Sequence, residues 1–295
     1  MTTALTMTAD PVVENERLRI IYYDIINSIN EAIRRHRVTY DEFGHALNFV
    51  SSLGEAGQLP LHAFVTFAFA LADANEGVGL ANPDKDGATV WYPEGPAYVA
   101  GAPFRERPYV LAANSEPGTP LFVSSTVKST SGEPLSGAVI DLWMTNDNGN
   151  YSSMTPEMLG PIDASIIRDI PPFHLRGQLV ADEDGRIEYQ TILPGVEILP
   201  LEVGSPLHQL LTKIGCFHGR PRHIHAHVSS PGYLALTHQA HFTGDPYLEH
   251  VFEGSVDTRT VFPLTEHNDP AEMEARGVNR PFLTVEIPYI LRPAA

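Results

Sequence analysis

The stretch Gly219-Arg220-Pro221-Arg222-His223-Ile224-His225, running on into the β-type segment Ile224–Ser229, decides how this chain is read. Successive side chains on a strand point to opposite faces, so His223 and His225 share one face and His227 continues the alternation. Neutral imidazole is the commonest metal ligand. Both rings can therefore converge on one ion, with the fixed charge of Arg220 beside them.

Outward from this stretch the chain keeps its β character. From about Trp91 onward, Pro and Gly recur every few residues. Between them lie Pro120–Lys128, Ala138–Met144, His174–Ala181, Ile187–Ile192, His238–Phe242 and Phe282–Ile287. Short strands separated by frequent turn signals predict a sandwich or barrel. The segment Pro156–Pro172 lacks strand character and reads as a long loop, a kind of segment that is often functional.

The first third differs. Leu18, Ile21, Tyr22, Ile25, Ile26 and Ile29 recur at three- and four-residue spacings, which predicts a helix over Val13–His36. Glu14 and Glu16 at its start and Arg34, Arg35, His36 and Arg37 at its end suit the helix dipole. Thr39 with Glu42 forms a capping box for a second helix over Tyr40–Leu53, stopped by Gly54. A third helix is expected over Leu61–Ala74, with a turn at Gly77–Gly79. The expected organisation is a flexible tail at 1–12, a helical linker or dimerisation domain at 13–88 and a β domain at 89–295.

The 295 residues carry 19 basic and 36 acidic side chains, a net charge of −17. That balance disfavours nucleic acid and anionic membranes as partners. Cys216 is the single cysteine, so no intrachain disulfide forms and a reducing cytoplasm is the default. No apolar run approaches the roughly 20 residues of a membrane span, and Met1–Asp10 lacks the features of a secretory signal.

Several blocks of the β region carry a resemblance. Gly137-Ala138-Val139-Ile140-Asp141-Leu142-Trp143 is followed by Gly149-Asn150-Tyr151. Then come Leu175-Arg176-Gly177, Asp182-Glu183-Asp184-Gly185-Arg186, Thr191-Ile192-Leu193-Pro194, the Arg220–His225 stretch, Pro231-Gly232-Tyr233 and Gly244-Asp245-Pro246-Tyr247-Leu248. In order and spacing, over roughly residues 95 to 255, this resembles the intradiol ring-cleavage dioxygenases. The helical third looks like the linker of their catechol/hydroxyquinol 1,2-dioxygenase branch.

The resemblance implies a mainly β fold, a β-sandwich catalytic domain behind N-terminal helices that dimerise. It implies one non-haem iron, as Fe(III), and an aromatic diol or triol and O2 as substrates, with a muconate- or maleylacetate-type product. Tyr151, His223 and His225 match three of the family's four metal ligands. Arg220 matches an arginine that stabilises charge on the substrate, and Gln239 matches a glutamine of the catechol-type members.

The match departs at the fourth ligand, where the family has a second tyrosine and this chain has Glu197, flanked by Val196 and Ile198 in the expected substrate pocket. Three readings stay open: Glu197 ligates in place of Tyr, or lies near the metal and leaves a position to water, or the local alignment is shifted, with Tyr189 close by. A carboxylate suits a hard ion such as iron and is ionised far below a phenol, with reference values of roughly 4.3 against 10. A second departure is Gly95-Pro96-Ala97-Tyr98, where Ala97 stands in place of a frequent ring and suggests room for a substituent.

Two other outcomes are weighed beside intradiol cleavage. One is the same fold performing extradiol cleavage or another oxygenation because of Glu197. The other is a non-catalytic binding protein. His227, His238 and His241 read as core or pocket-lining groups, and Cys216 as a packed thiol.

Overall fold

The computed structural model describes residues 15–75, 87–154, 170–199, 201–249 and 256–294. The expected tail, the Gly77–Gly79 turn and most of the Pro156–Pro172 loop lie outside the described residues. Among the described residues the structure is mainly β behind N-terminal helices, as the sequence predicts.

Helix α1 spans Glu16–His36. The Asn15 side chain accepts from Leu18 N at its start, and Arg37, in the left-handed region at φ 52°, ends it. Helix α2 spans Tyr40–Glu55. The expected capping box is present: Glu42 N donates to Thr39 Oγ1 at 3.2 Å, and Thr39 N donates to the Glu42 carboxylate at 2.8 Å. Gly54 does not stop this helix. The stop is Gly57, at φ 65°, after which Gln58 N closes on Leu53 O at 2.8 Å. A glycine terminates a helix where the left-handed residue is needed, and that place lies three positions later than the apolar pattern suggested. Helix α3 spans Leu59–Asn75. The chain divides into two compact units between Ser52 and Leu53.

The second unit holds two five-stranded sheets. One joins β1 (Tyr109–Val110), β5 (Arg186–Ile192), β2 (Pro120–Ser129), β12 (Phe282–Leu291) and β11 (Thr265–His267), in that order. The other joins β10 (Val261–Phe262), β9 (Leu236–Phe242), β8 (His223–Ser229), β3 (Val139–Trp143) and β4 (Arg176–Val180). A ribbon of β6 (Glu197–Ile198) and β7 (Gly219–Arg220) stands apart. Short helices α4 (Pro206–Lys213) and α5 (Pro270–Ala275) lie between strands.

Both sheets turn alternate side chains into one core. Val123, Val127, Ile187, Val285 and Ile287 come from the first sheet, and Ile140, Leu142, Leu179, Ile224, Ala226, Val228 and Phe242 from the second. Full burial of each such side chain contributes about 1.5–3 kcal/mol. The predicted strands are present with shifted ends. β1, β6, β7, β10 and β11 are two or three residues long and carried no readable period.

Candidate metal centre

The core decides the direction of the site. On β8, Ile224, Ala226 and Val228 are 0% exposed and face the core, so His223 and His225 face the other way. β8 is antiparallel to both neighbours. His225 stands opposite Trp143 of β3 on one side and Gln239 of β9 on the other. Trp143 in turn stands opposite Arg176 of β4. One cross-strand row on the non-core face therefore reads Arg176, Trp143, His225, Gln239.

Two loops bring the remaining donors to this row. The turn Asn146–Asn150 delivers Tyr151, and β6 delivers Glu197. Gly149, at φ 78°, lies against the backbone of Val196, where a Cβ would overlap the Val196 carbonyl. Gly219 lies as close to the Glu197 carbonyl, which lets β6 pair with β7 so that Glu197 stands opposite Arg220. The absence of a side chain at these two positions is what allows Tyr151, Glu197 and Arg220 to share one space.

Four side-chain atoms converge there. Tyr151 Oη lies 3.0 Å from His225 Nε2, 3.1 Å from His223 Nε2 and 3.1 Å from Glu197 Oε2. The two Nε2 atoms are 2.9 Å apart, and Glu197 Oε2 is 3.6 Å from His223 Nε2. Donor atoms held at roughly 2.0–2.2 Å from one first-row metal ion have separations of this size. Of the three readings of Glu197, the geometry brings its carboxylate to the cluster. Tyr189 is instead buried in the sandwich core.

The chemistry of the donor set also fits a cation. His223 Nδ1 donates to Pro221 O at 2.7 Å, so the lone pair of its Nε2 points into the cluster. Burial first, and then the Arg220 charge, push the His223 imidazole down to about 3, so it is neutral at neutral pH. Burial also holds His225 well below the usual range. Tyr151 is pushed well above the usual phenol range by burial, then by the Glu197 charge, against opposing pulls from Arg220 and Arg176. Lone pairs thus outnumber protons in a buried space, an arrangement that a cation balances. Among the described residues no three His, Cys, Asp or Glu side chains form a metal-holding group by themselves. The convergence depends on the phenol.

Arg220 borders the cluster. Its guanidinium donates to Gln239 Oε1 at 2.6 Å and lies 3.3 Å from His223 Nε2 and 3.8 Å from Glu197 Oε2. Of the expected pocket residues, Gly95 lies beside His225, with its Cβ direction 4.0 Å from His225 Cε1. Ala97 is buried, whereas Pro96 is exposed. Tyr98 donates to Asp141 at 3.3 Å, and its ring lies 4.9 Å from that of Trp143. Val196 supplies backbone to the Tyr151 turn, while Ile198 is 55% exposed on the opposite side of β6 from Glu197.

His227 and His241 share the β8–β9 face without joining the cluster. His238 points the other way, among Tyr289 and Phe262. Sequence reasoning assigned no role to Trp143, whose indole stacks on His225 at 4.6 Å and 10°, or to Arg176. Both lie inside blocks that carried the resemblance. An arginine within a strand of a buried sheet was the available signal for the second.

Comparison with known proteins agrees with this geometry. Residues 93–282 match the family described as Dioxygenase, and residues 15–66 match the Catechol dioxygenase N terminus. The chain belongs to the intradiol ring-cleavage dioxygenases, non-haem iron enzymes that use O2. A chlorocatechol 1,2-dioxygenase of Rhodococcus opacus is 31% identical, over 85% of this chain and 91% of its own length. A catechol 1,2-dioxygenase of Acinetobacter baylyi is 32% identical, over 91% of this chain and 83% of its own length. The crystal structure of the wild-type catechol 1,2-dioxygenase of Acinetobacter radioresistens matches with a TM-score of 0.70 at 28% identity, covering 98% of this chain and 89% of that one. The chain is thus an enzyme, and the reading as a non-catalytic binding protein falls away.

Proposed function

We propose that this enzyme cleaves the ring of a hydroxyquinol or a substituted catechol between its two hydroxylated carbons, giving a maleylacetate- or muconate-type product. The observation that carries the reading is the convergence of Tyr151, Glu197, His223 and His225 beside Arg220. Relatives of the chain are named for chlorocatechol, catechol and hydroxyquinol.

Tyr151, Glu197, His223 and His225 would hold the iron. When bound, that iron would supply Lewis acidity and redox chemistry toward the diol and O2. The protein supplies the rest. The Pro221 carbonyl fixes the His223 tautomer, and Trp143 holds the plane of His225. Glu197 Oε2 accepts a proton from the incoming diol, a task for which a carboxylate needs no prior activation. Arg220, oriented by Gln239, offsets the negative charge of the bound diol in a space with little water, where that charge counts more than in bulk solvent. Ala97, where the family often has a ring, leaves room for a substituent.

Oxygen uptake by iron-loaded protein over a panel of o-diphenols, with product analysis, tests this reading. The expected outcome is uptake and a colourless diacid. A yellow semialdehyde supports the second reading, extradiol cleavage or another oxygenation. Glu197 favours that alternative because two His and one carboxylate resemble the open ligand set of Fe(II) oxygenases. No uptake with any o-diphenol overturns both intradiol and extradiol cleavage.

The same reading includes a homodimer formed through the helical region, within domain limits of 13–88 and 89–295. Leu18, Ile21, Tyr22, Ile25 and Ile29 of α1 are all more than 40% exposed, which supports a partner surface there. Sedimentation equilibrium tests it. No helix among the described residues is long and apolar enough to cross a membrane, and a cytoplasmic location fits the lone cysteine.

A further inference from the structure

Arg176 is a second guanidinium at the site, and the reaction as described does not use it. It is 1% exposed and ends the row formed with Trp143, His225 and Gln239. Its Nε donates to Ser152 Oγ at 3.0 Å and one terminal nitrogen donates to Ser152 O at 2.8 Å. Ser152 follows Tyr151 directly, and its hydroxyl donates onward to His174 O at 2.7 Å. The guanidinium is thereby clamped to the backbone next to Tyr151, with its carbon 5.8 Å from the centre of the Tyr151 ring. The other terminal nitrogen is buried and has no hydrogen-bond partner among the described residues.

A guanidinium that only capped a turn would have no reason to be buried with one nitrogen unpaired, because an unpaired buried donor on a cation is costly. The local backbone is also strained in its favour. Ser153, Phe173 and Leu175 all lie in the left-handed region, at φ 59°, 54° and 55°, on either side of the clamp. An arginine side chain stays protonated at neutral pH, so the clamp holds a fixed positive charge beside the Tyr151 ring.

We propose that Arg176 is a positioning residue for the ring-cleavage site: its fixed positive charge, clamped beside the Tyr151 ring, lowers the energy of the phenolate's donor electrons and so sets how strongly Tyr151 donates to the metal. It touches neither substrate nor metal. The proposal rests on the reading of Tyr151 as a metal donor.

The test is the phenolate-to-iron charge-transfer band of iron-loaded protein, read by visible absorption and resonance Raman, with metal content and circular dichroism alongside. Arg176→Met and Arg176→Gln remove the charge, and the glutamine keeps a donor for Ser152. Both should move the band to longer wavelength by about ten nanometres or more, since a phenolate without a neighbouring cation releases its electron more readily. Arg176→Lys should return the band toward its wild-type position. A band unmoved in a folded, iron-loaded neutral variant overturns the role of Arg176. Should neither neutral variant fold, Ser152→Ala loosens the clamp by removing the Nε partner while the backbone bond stays: a band that moves supports the role, and a band that stays overturns it. Wild-type protein that binds iron without any phenolate band overturns the Tyr151 reading instead, so the two failures are distinguishable.

Discussion

The two halves of the donor set stand on very different supports. His223 and His225 lie on a seven-residue strand, hydrogen-bonded on both sides to β3 and β9, and are 3% and 1% exposed. Glu197 lies on a two-residue strand that pairs only with β7, has a side chain 21% exposed, and is followed by a residue more than half exposed. The histidine half is anchored by a packed core beneath it. The carboxylate half depends on two glycines and one short ribbon. The proton acceptor proposed for the incoming diol suits the second kind of support, because few contacts have to break for it to move.

The largest effect should come from breaking the anchored half. His225→Ala is expected to lower iron affinity about a hundred- to a thousandfold, because site binding energies of roughly 10–16 kcal/mol shared among four donors leave about 2.5–4 kcal/mol for each. Metal titration checks this, and retention of stoichiometric iron at wild-type affinity would remove His225 from the donor set.

The strand beside it should carry an acid sensitivity. Burial pushes His238 down to about 4 while its Nδ1 donates to Val90 O at 2.8 Å. An unfolded chain takes up this proton near 6.5 and the folded one only near 4. The contribution is therefore complete above about pH 6.5 and is lost as pH falls toward 4, on the order of 3 kcal/mol in all. Urea melts across that window measure it, and His238→Leu should flatten this part of the acid limb.

Between the halves, Arg220→Gln should cost about a hundredfold in kcat/KM with iron content unchanged, the usual cost of removing one preorganised charge. Loss of iron instead would make Arg220 a structural partner of Glu197. The smallest effect is expected on the ribbon. Glu197→Gln should weaken iron binding about tenfold, roughly 1.4 kcal/mol. Glu197→Tyr should strengthen the visible band by adding a second phenolate. No spectral change in the tyrosine variant would sink Glu197 as a ligand.

Much of this was legible beforehand because strong periods carry information. The β8 alternation, the α1 spacing and the Thr39/Glu42 box each rest on local geometry that neighbouring residues enforce. The Gly54 stop misled because a glycine inside a helix and a glycine ending one look alike until the left-handed residue is located. β6 and β7 were not readable, since two residues have no period.

By itself the sequence determined the β-rich class, the helical third and the histidine pair, because these follow from residue type and spacing along one strand or helix, whereas Tyr151 and the role of Arg220 came from the resemblance of several blocks to one family. Only the tertiary structure decided that Glu197 faces those histidines, that Trp143 stacks on one of them, and that Arg176 is buried beside Tyr151. Those relations are set by cross-strand register and by backbone contact between distant loops. They depend on which residues the core turns inward and not on how far apart they stand in the chain.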